Sequence, residues 1–267
     1  MDQNAAERES IGERTSEFTR RLRAPNPGPM TLTGTNSYLI AAAGSPSVVV
    51  VDPGPLDEPH LSALASAGRV ELVLLTHRHR DHTESRERFA ALTGAPVRAF
   101  DRAFCIGAEP LTDGEELRTA GASIRVIATP GHTSDSVCFH LPEDGPAGIV
   151  LTGDTILGSG TTIIDSPDGT LADYLRSLSV LSALGHALVL PAHGPMVADL
   201  VAICDAYRTH RQERLEQVRG ALEALGQDSS VEAVTDFVYA QTDAAVRFAA
   251  EASVRAQLTY LRERPAE

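Results

Sequence analysis

The run Thr76-His77-Arg78-His79-Arg80-Asp81-His82 places four metal-binding side chains, His77, His79, Asp81 and His82, within six residues. Imidazole and carboxylate are the common donors to zinc, iron and manganese. A single ion does not need so many donors from one turn. Two ions held close together do, because each wants several ligands. Three later turns add what such a pair still lacks: Pro130-Gly131-His132-Thr133, Thr152-Gly153-Asp154-Thr155 and Pro191-Ala192-His193-Gly194. In each, a His or Asp stands beside a glycine, which lets the backbone turn sharply and approach an ion closely. The chemistry such a set supports is attack by a water activated between two metals. Spacing alone does not divide the donors between the two ions.

These residues need elements to hold them. An apolar, β-prone run at 70–75 precedes the first group and reads as a buried strand. Strand-like runs at 123–129, 148–151 and 187–190 precede the other three, so four strand ends deliver ligands to one edge of a layered sheet. Residues 35–41 and 47–51 read as a hairpin, 56–67 as a helix, and a second helix follows the ligand turn to about Leu92. Short strands are expected at 97–100 and 136–141, and an amphipathic helix at 171–184 with Leu171, Leu175, Leu178 and Leu181 on one face. This α/β alternation in two similar halves suits two sheets packed face to face with helices outside. From about residue 198 the pattern is helical, with helices expected at 201–225, 231–240 and 244–262. Residues 1–22 are polar, lack strand periodicity and read as a flexible lead-in. The chain thus divides into that lead-in, a catalytic domain at 23–197 and a C-terminal helical module at 198–267.

The HxHxDH motif at 77–82, followed in order by His132, Asp154 and His193 and preceded by Gly34-Thr35-Asn36-Ser37-Tyr38-Leu39, resembles the metallo-β-lactamase-fold hydrolases. The resemblance runs from about residue 28 to the C-terminus. It implies a four-layer αββα sandwich. It also implies a ligand set like that of hydroxyacylglutathione hydrolase. His77, His79 and His132 would hold one ion, Asp81, His82 and His193 the other, and Asp154 would bridge them. In such sites Asp81 would orient a metal-bridging hydroxide and accept its proton. Two divalent ions are therefore expected, with Zn2+ preferred and Fe or Mn also suited to these donors. Three further segments, Asn26-Pro27-Gly28-Pro29-Met30, Leu157-Gly158-Ser159-Gly160-Thr161-Thr162 and His210-Arg211 with Arg214, resemble the β-lactamase-like protein 2 group. That group includes bacterial hydrolases and mitochondrial endoribonuclease-like members. It implies a winged-helix-like C-terminal module, expected here to be truncated before its wing strands.

Substrate contacts are less sharply marked. Asn36 and Tyr38 are candidates to line the cleft, with packing of the hairpin as the competing role. All 23 basic residues are Arg, so any anionic substrate group must be met by Arg, His, a hydroxyl or a backbone N–H. Arg208, His210 and Arg211 are the candidates, with at least one expected to face the cleft mouth. His60, His140 and His186 lie in no ligand context and read as structural or solvent-facing.

The net charge of −13 disfavours broad attraction to nucleic acid. Glu84, where related proteins often have glycine, adds negative charge near the cleft. A true β-lactamase is disfavoured as well. One zinc class uses Cys where this chain has Asp154, and many use a Lys to hold the antibiotic carboxylate. A thioester or related acyl substrate is the expected one, with cleavage of single-stranded RNA as the alternative. A non-catalytic metal-binding module is a further alternative, opposed by seven filled ligand positions. A di-iron redox role would call for a flavin domain that this length does not accommodate. The three cysteines, Cys105, Cys138 and Cys204, form no motif and suit a reducing compartment. With no membrane-length apolar run and no signal-like N-terminus, a cytoplasmic protein is expected, and a homodimer is compatible with the sequence.

Overall fold

The structure, a computed structural model, describes residues 11–243 and 246–263. One sheet has six strands in sequential order: β1 (Glu13–Arg14), β2 (Thr19–Arg23), β3 (Asn36–Ile40), β4 (Ser47–Val51), β5 (Arg69–Leu74) and β6 (Val97–Arg98). The other runs β11 (Leu188–Pro191), β10 (Ile149–Gly153), β9 (Val137–Leu141), β8 (Ala122–Ala128) and β7 (Glu116–Thr119). Pairing is parallel for β4–β5–β6 and β10–β11 and antiparallel elsewhere. Parallel neighbours need a crossover, and helices supply it. Helix α1 (Glu58–Ser66) joins β4 to β5, α2 (Arg80–Thr83) and α3 (Arg86–Thr93) join β5 to β6, and α4 (Leu171–Ser182) joins β10 to β11. Local sequence starts them: Asp57 and Thr170 accept the His60 and Asp173 backbone N–H groups as N-caps of α1 and α4.

The strand period of two sorts the core into layers. Val49, Val51 and Leu74 face Ile124, Val126, Phe139 and Leu151 of the opposite sheet. Val48, Val50 and Val73 point the other way, onto Leu61, Leu64 and Phe89 of α1 and α3. On the far side Val150 and Val189 meet Tyr174, Leu178 and Leu181 of α4. The result is the expected αββα sandwich.

Helices α5 (Leu200–Leu225), α6 (Val231–Val238) and α7 (Arg247–Glu263) follow. The first half of α5 joins the α4 layer through Leu200, Cys204, Tyr207 and Leu215. Its second half forms a small separate core, Val218, Ala221 and Leu222 against Val234, Val254 and Leu258. The C-terminal helices are therefore anchored on the catalytic unit by the first half of α5 and again by α7, whose Ala256, Tyr260 and Leu261 join the α4 layer. Residues 244–245 and 264–267, within the expected last helix and tail, lie outside the described residues. Among the described residues no helix is long and apolar enough to cross a membrane.

The flexible lead-in needs correction. Residues 1–10 lie outside the described residues, but 13–14 and 19–23 are strands on the edge of the six-stranded sheet. They are tied down by the buried Asp144 carboxylate, which accepts from Ser16 Oγ (2.6 Å), Phe18 N (2.8 Å) and Thr19 Oγ1 (2.7 Å). The sequence Thr-Arg-Arg-Leu-Arg of β2 has no clean apolar alternation, and its ordering comes from ladder and carboxylate hydrogen bonds. Strand β7, Glu-Leu-Arg-Thr, went unseen for the same reason.

His60 is structural. Ser37 Oγ donates to the Asp52 carbonyl (2.6 Å), so the His60 Nε2–H, 2.9 Å away, donates to Ser37 Oγ. Burial pushes this imidazole from 6.5 down to about 4, against a weaker opposing pull from Asp57. Its folded pKa is depressed, so the unfolded chain binds the proton more readily. The stability contribution is complete above about 6.5 and is lost as pH falls toward 4. In His60→Gln, which retains a donor but cannot titrate, thermal melts at pH 7.5 and 4.5 should differ less than in the wild type, by roughly 2–3 kcal/mol. An unchanged difference would remove His60 from the acid response.

Candidate metal centre

The two sheets meet at the edge where the ligand-bearing strands end. The Val137 N–H donates to the Thr76 carbonyl (2.8 Å), linking the sheets there, and the Ala192 N–H donates to Gly153 O (3.0 Å). Gly153 has φ +50°, and a Cβ there would lie 2.7 Å from Thr76 Cβ, so only glycine permits this approach. Gly131 is under the same constraint: its missing Cβ would sit 2.4 Å from Tyr174 Cα. These two close approaches bring the turns after β5, β8, β10 and β11 to one place.

There the seven expected ligands converge in two groups. His77, His79, His132 and Asp154 have ligand atoms within 4.8 Å of one another, as do Asp81, His82 and His193. Asp154 spans both. Its Oδ2 lies 3.8 Å from His77 Nε2 and 3.6 Å from His132 Nε2, while its Oδ1 lies 3.7 Å from His82 Nε2 and 3.3 Å from His193 Nε2. Asp81 Oδ2 is 3.3 Å from His82 Nε2 and 3.1 Å from His193 Nε2.

Each imidazole is oriented from outside by an acceptor for its other nitrogen. His82 Nδ1 meets Asp52 Oδ2 (2.8 Å), His79 Nε2 meets Asp165 Oδ2 (3.1 Å), and His132 Nδ1 meets the Ile163 carbonyl (2.7 Å). His77 Nδ1 lies 3.0 Å from Thr76 Oγ1, whose own proton goes to Asp52 Oδ2 (2.7 Å). His193 Nδ1 faces the Gly34 carbonyl at 3.4 Å. With the outer nitrogens as donors, all five inner nitrogens present lone pairs to the centre. His79 Nδ1 then stands 3.1 Å from His77 Nε2 and 2.9 Å from His132 Nε2, lone pair to lone pair. Metal–nitrogen bonds of about 2.0–2.1 Å in tetrahedral geometry put neighbouring ligand atoms about 3.3 Å apart. Among the described residues, buried His82 Nε2, His193 Nε2 and Asp154 Oδ1 have no hydrogen-bond partner. The donor set fits two divalent cations.

The metal-free electrostatics agree. Burial lowers the His77 imidazole well below its ordinary value, reinforced by His82, and takes His132 down to about 4 against the pull of Asp154. For His82 burial is outweighed by Asp81, Asp52 and Asp154, which hold it well above the ordinary value. For His193 the Asp154 carboxylate likewise overcomes burial and raises it to about 9. Burial pushes the Asp81 and Asp154 carboxyls up, but the positive charge of the facing His82 and His193 imidazoles holds both well below the usual range. Without metal, the second group is thus partly held together by protons.

The expected substrate contacts fare differently. Asn36 and Tyr38 are buried, and both brace the β11 end rather than line a cleft. Asn36 Nδ2 donates to the Pro191 and Gly194 carbonyls (2.9 and 3.0 Å), and Tyr38 Oη donates to Pro191 O (2.8 Å). Arg208 pairs with Asp205 (2.6 Å) and donates to the Leu178 carbonyl of α4 (2.9 Å). Arg211 is buried, donates to the Thr162 carbonyl and lies 5.1 Å over the Tyr174 ring. His210 Nε2 is 3.4 Å from Thr161 Oγ1. The expectation that Arg208 or Arg211 offers a free cation at the mouth is therefore overturned: helix packing consumes both guanidiniums. Sequence reasoning also missed Asp52 and Asp165. Asp52 had a signal, since Val51-Asp52-Pro53-Gly54 repeats the pattern of an apolar run ended by an acid and a glycine. Asp165 had none.

Residues 30–193 match the metallo-beta-lactamase superfamily. The chain belongs to that superfamily. It is 33% identical to the beta-lactamase-like protein 2 homolog of Caenorhabditis elegans, over 93% of this chain and 85% of that protein. Among solved structures, a metallo-beta-lactamase family protein from Thermus thermophilus superposes with a TM-score of 0.77 at 27% identity, covering 93% of this chain and 94% of that one. TTHA1623, solved in a di-iron-bound form, gives a TM-score of 0.54 at 26% identity, over 70% of this chain and 98% of that one. The chain is thus a metal-dependent hydrolase of the metallo-β-lactamase superfamily with a dinuclear His/Asp site.

Asp52 accepts from His82 Nδ1, Thr76 Oγ1 and the Thr76 N–H together. An amide offers one acceptor oxygen where the carboxylate offers two. Asp52→Asn should therefore weaken the metal at Asp81, His82 and His193 by roughly 10–100-fold in chelator competition. Wild-type affinity for both metals would show that this carboxylate does not orient His82.

Proposed function

We propose that this chain hydrolyses a thioester or related acyl substrate at the two-metal centre, with Zn2+ as the metal. The observation that carries this reading is the charge arrangement around the ligands. Arg78 is bound by Asp165 (2.5 Å) and Asp168 (3.1 Å), Arg80 is paired with Glu84, Arg208 with Asp205, and Arg211 lies beneath Thr162. RNA needs cations along its phosphates, and a β-lactam carries a carboxylate. The carbonyl of an acyl thioester is neutral and makes no such demand. A net charge of −13 favours the same choice, and imidazole-rich ligand sets suit zinc.

When bound, the two ions polarise the substrate carbonyl and lower the pKa of a water toward neutrality. Asp81 is the carboxylate such a water reaches, being 29% exposed where Asp154 is only 11%. Its Oδ2, 3.5 Å from Thr35 Oγ1 and 3.1 Å from His193 Nε2, orients the water and accepts its proton. Asp154, the less exposed of the two carboxylates, fixes the spacing of the two groups. The outer hydrogen bonds fix the orientation of the imidazoles.

Metal-loaded protein assayed against acyl thioesters, lactones, β-lactams and single-stranded RNA should turn over the thioesters best. Asp81→Asn should lower kcat by roughly 10²-fold or more while the protein stays folded. Cleavage of RNA without thioester turnover would overturn the substrate assignment. Near-wild-type turnover by Asp81→Asn would remove Asp81 from proton transfer.

A further inference from the structure

The loop after β10, residues 157–165, supplies the outer acceptors for two histidines of one group and none of the other. The Ile163 carbonyl (2.7 Å) and Thr162 Oγ1 (3.1 Å) meet His132 Nδ1, and Asp165 meets His79 Nε2. The His82 and His193 rings are oriented from elsewhere, by Asp52 and Gly34. The loop contains no strand or helix, so something outside it must hold it in place.

Helix α5 does this with one face. Tyr207, His210 and Arg211, spaced i, i+3 and i+4, share a side of the helix. Tyr207 Oη accepts from the Leu157 N–H (3.1 Å) and donates to the Gly160 carbonyl (2.8 Å). His210 reaches Thr161 Oγ1, and Arg211 donates to the Thr162 carbonyl. Arg211 is only 3% exposed, faces the Tyr174 ring and keeps a buried Nε without a partner among the described residues. A buried guanidinium without a carboxylate costs stability, so a packing role alone would be served better by an apolar side chain.

We propose that Tyr207 and Arg211 are positioning residues for the metal held by His77, His79 and His132. Through the 157–165 loop they fix the acceptors that aim His132 and His79, so the C-terminal helix sets the affinity of one metal and not of its neighbour. The loop also donates from the Gly158 N–H to the His193 carbonyl (2.8 Å), but that contact holds main chain and leaves the His193 ring to Gly34. The proposal rests on the two-metal reading of the site, which the wild-type measurement tests by itself.

The test is a Co2+ titration of wild type, Tyr207→Phe, Arg211→Met, Arg211→Lys and Arg208→Ala. It is followed by visible absorption and chelator competition, with melts of each metal-free protein. Wild type should bind two ions in two resolvable steps. Tyr207→Phe and Arg211→Met should each weaken one step about tenfold or more and alter its absorption, leaving the other step and the metal-free melt near wild type. Arg211→Lys, which keeps a donor for Thr162, should recover part of the loss, and Arg208→Ala should match wild type. His193→Ala, which removes a ligand from the second group only, should weaken the opposite step, which assigns the steps to the two groups. Retention of both steps in Tyr207→Phe and Arg211→Met would overturn the proposal. So would equal loss of both steps with a lowered metal-free melt, the mark of a merely structural role. If Arg211→Met does not fold, Tyr207→Phe decides. A wild type binding fewer than two ions would instead sink the two-metal reading and the proposal with it.

Discussion

Everything at this site depends on one carboxylate shared by two sets of imidazoles. Asp154 directs one oxygen to His77 and His132 and the other to His82 and His193. Five imidazole nitrogens and two carboxylates in so small a space repel one another unless positive charge lies between them. Protons supply it on one side of the metal-free protein, where His82 and His193 are held protonated by their carboxylates. Divalent cations can supply it on both. The surrounding fold serves this concentration of donors, with sheets brought together at Gly153 and Thr76 and outer nitrogens anchored on Asp52, Asp165, Ile163, Thr76 and Gly34.

The anchors differ in kind. Asp52 holds His82 directly and His77 through the Thr76 hydroxyl, so it touches both groups from the end of β4. Asp165 and Ile163 lie on a loop that helix α5 grips at Gly160 and Thr162, while main-chain bonds to His132 and His193 hold its two ends. One side of the centre is thus fixed by strand ends and the other by a segment that a later helix must clamp. Arginines in the same region serve this framework. Arg78 straps Asp165 and Asp168 together, leaving the cleft without a dedicated cation from that residue.

Much of this was legible in the sequence because ligands at strand ends leave a repeated trace: an apolar run, then an acid or histidine beside a glycine. His132, Asp154 and His193 carried it, His77, His79, Asp81 and His82 stood out by their density after one apolar run, and the structure brings all seven together. Asp52 carried it too and was passed over, because an acid in Asp-Pro-Gly also reads as an ordinary turn. Asp165 and the grip of Tyr207 on Gly160 left no such trace, since they join parts of the chain far apart in sequence. Strands β2 and β7 were invisible for a related reason: β2 is held by ladders to β1 and β3 and by Asp144, and the edge strand β7 by its ladder to β8, so neither needs apolar alternation. The substrate contacts failed on burial. An Arg on a helix near the site looks available in sequence, and only packing shows that Arg211 is spent beneath the loop.

Anomalous diffraction from crystals grown with Zn2+ tests the central claim most directly. Two peaks per chain are predicted, about 3.5–4 Å apart. One should lie within bonding distance of His77, His79 and His132, the other within bonding distance of Asp81, His82 and His193, and Asp154 should reach both. A single peak at full zinc loading, or two peaks that Asp154 does not join, would contradict the account.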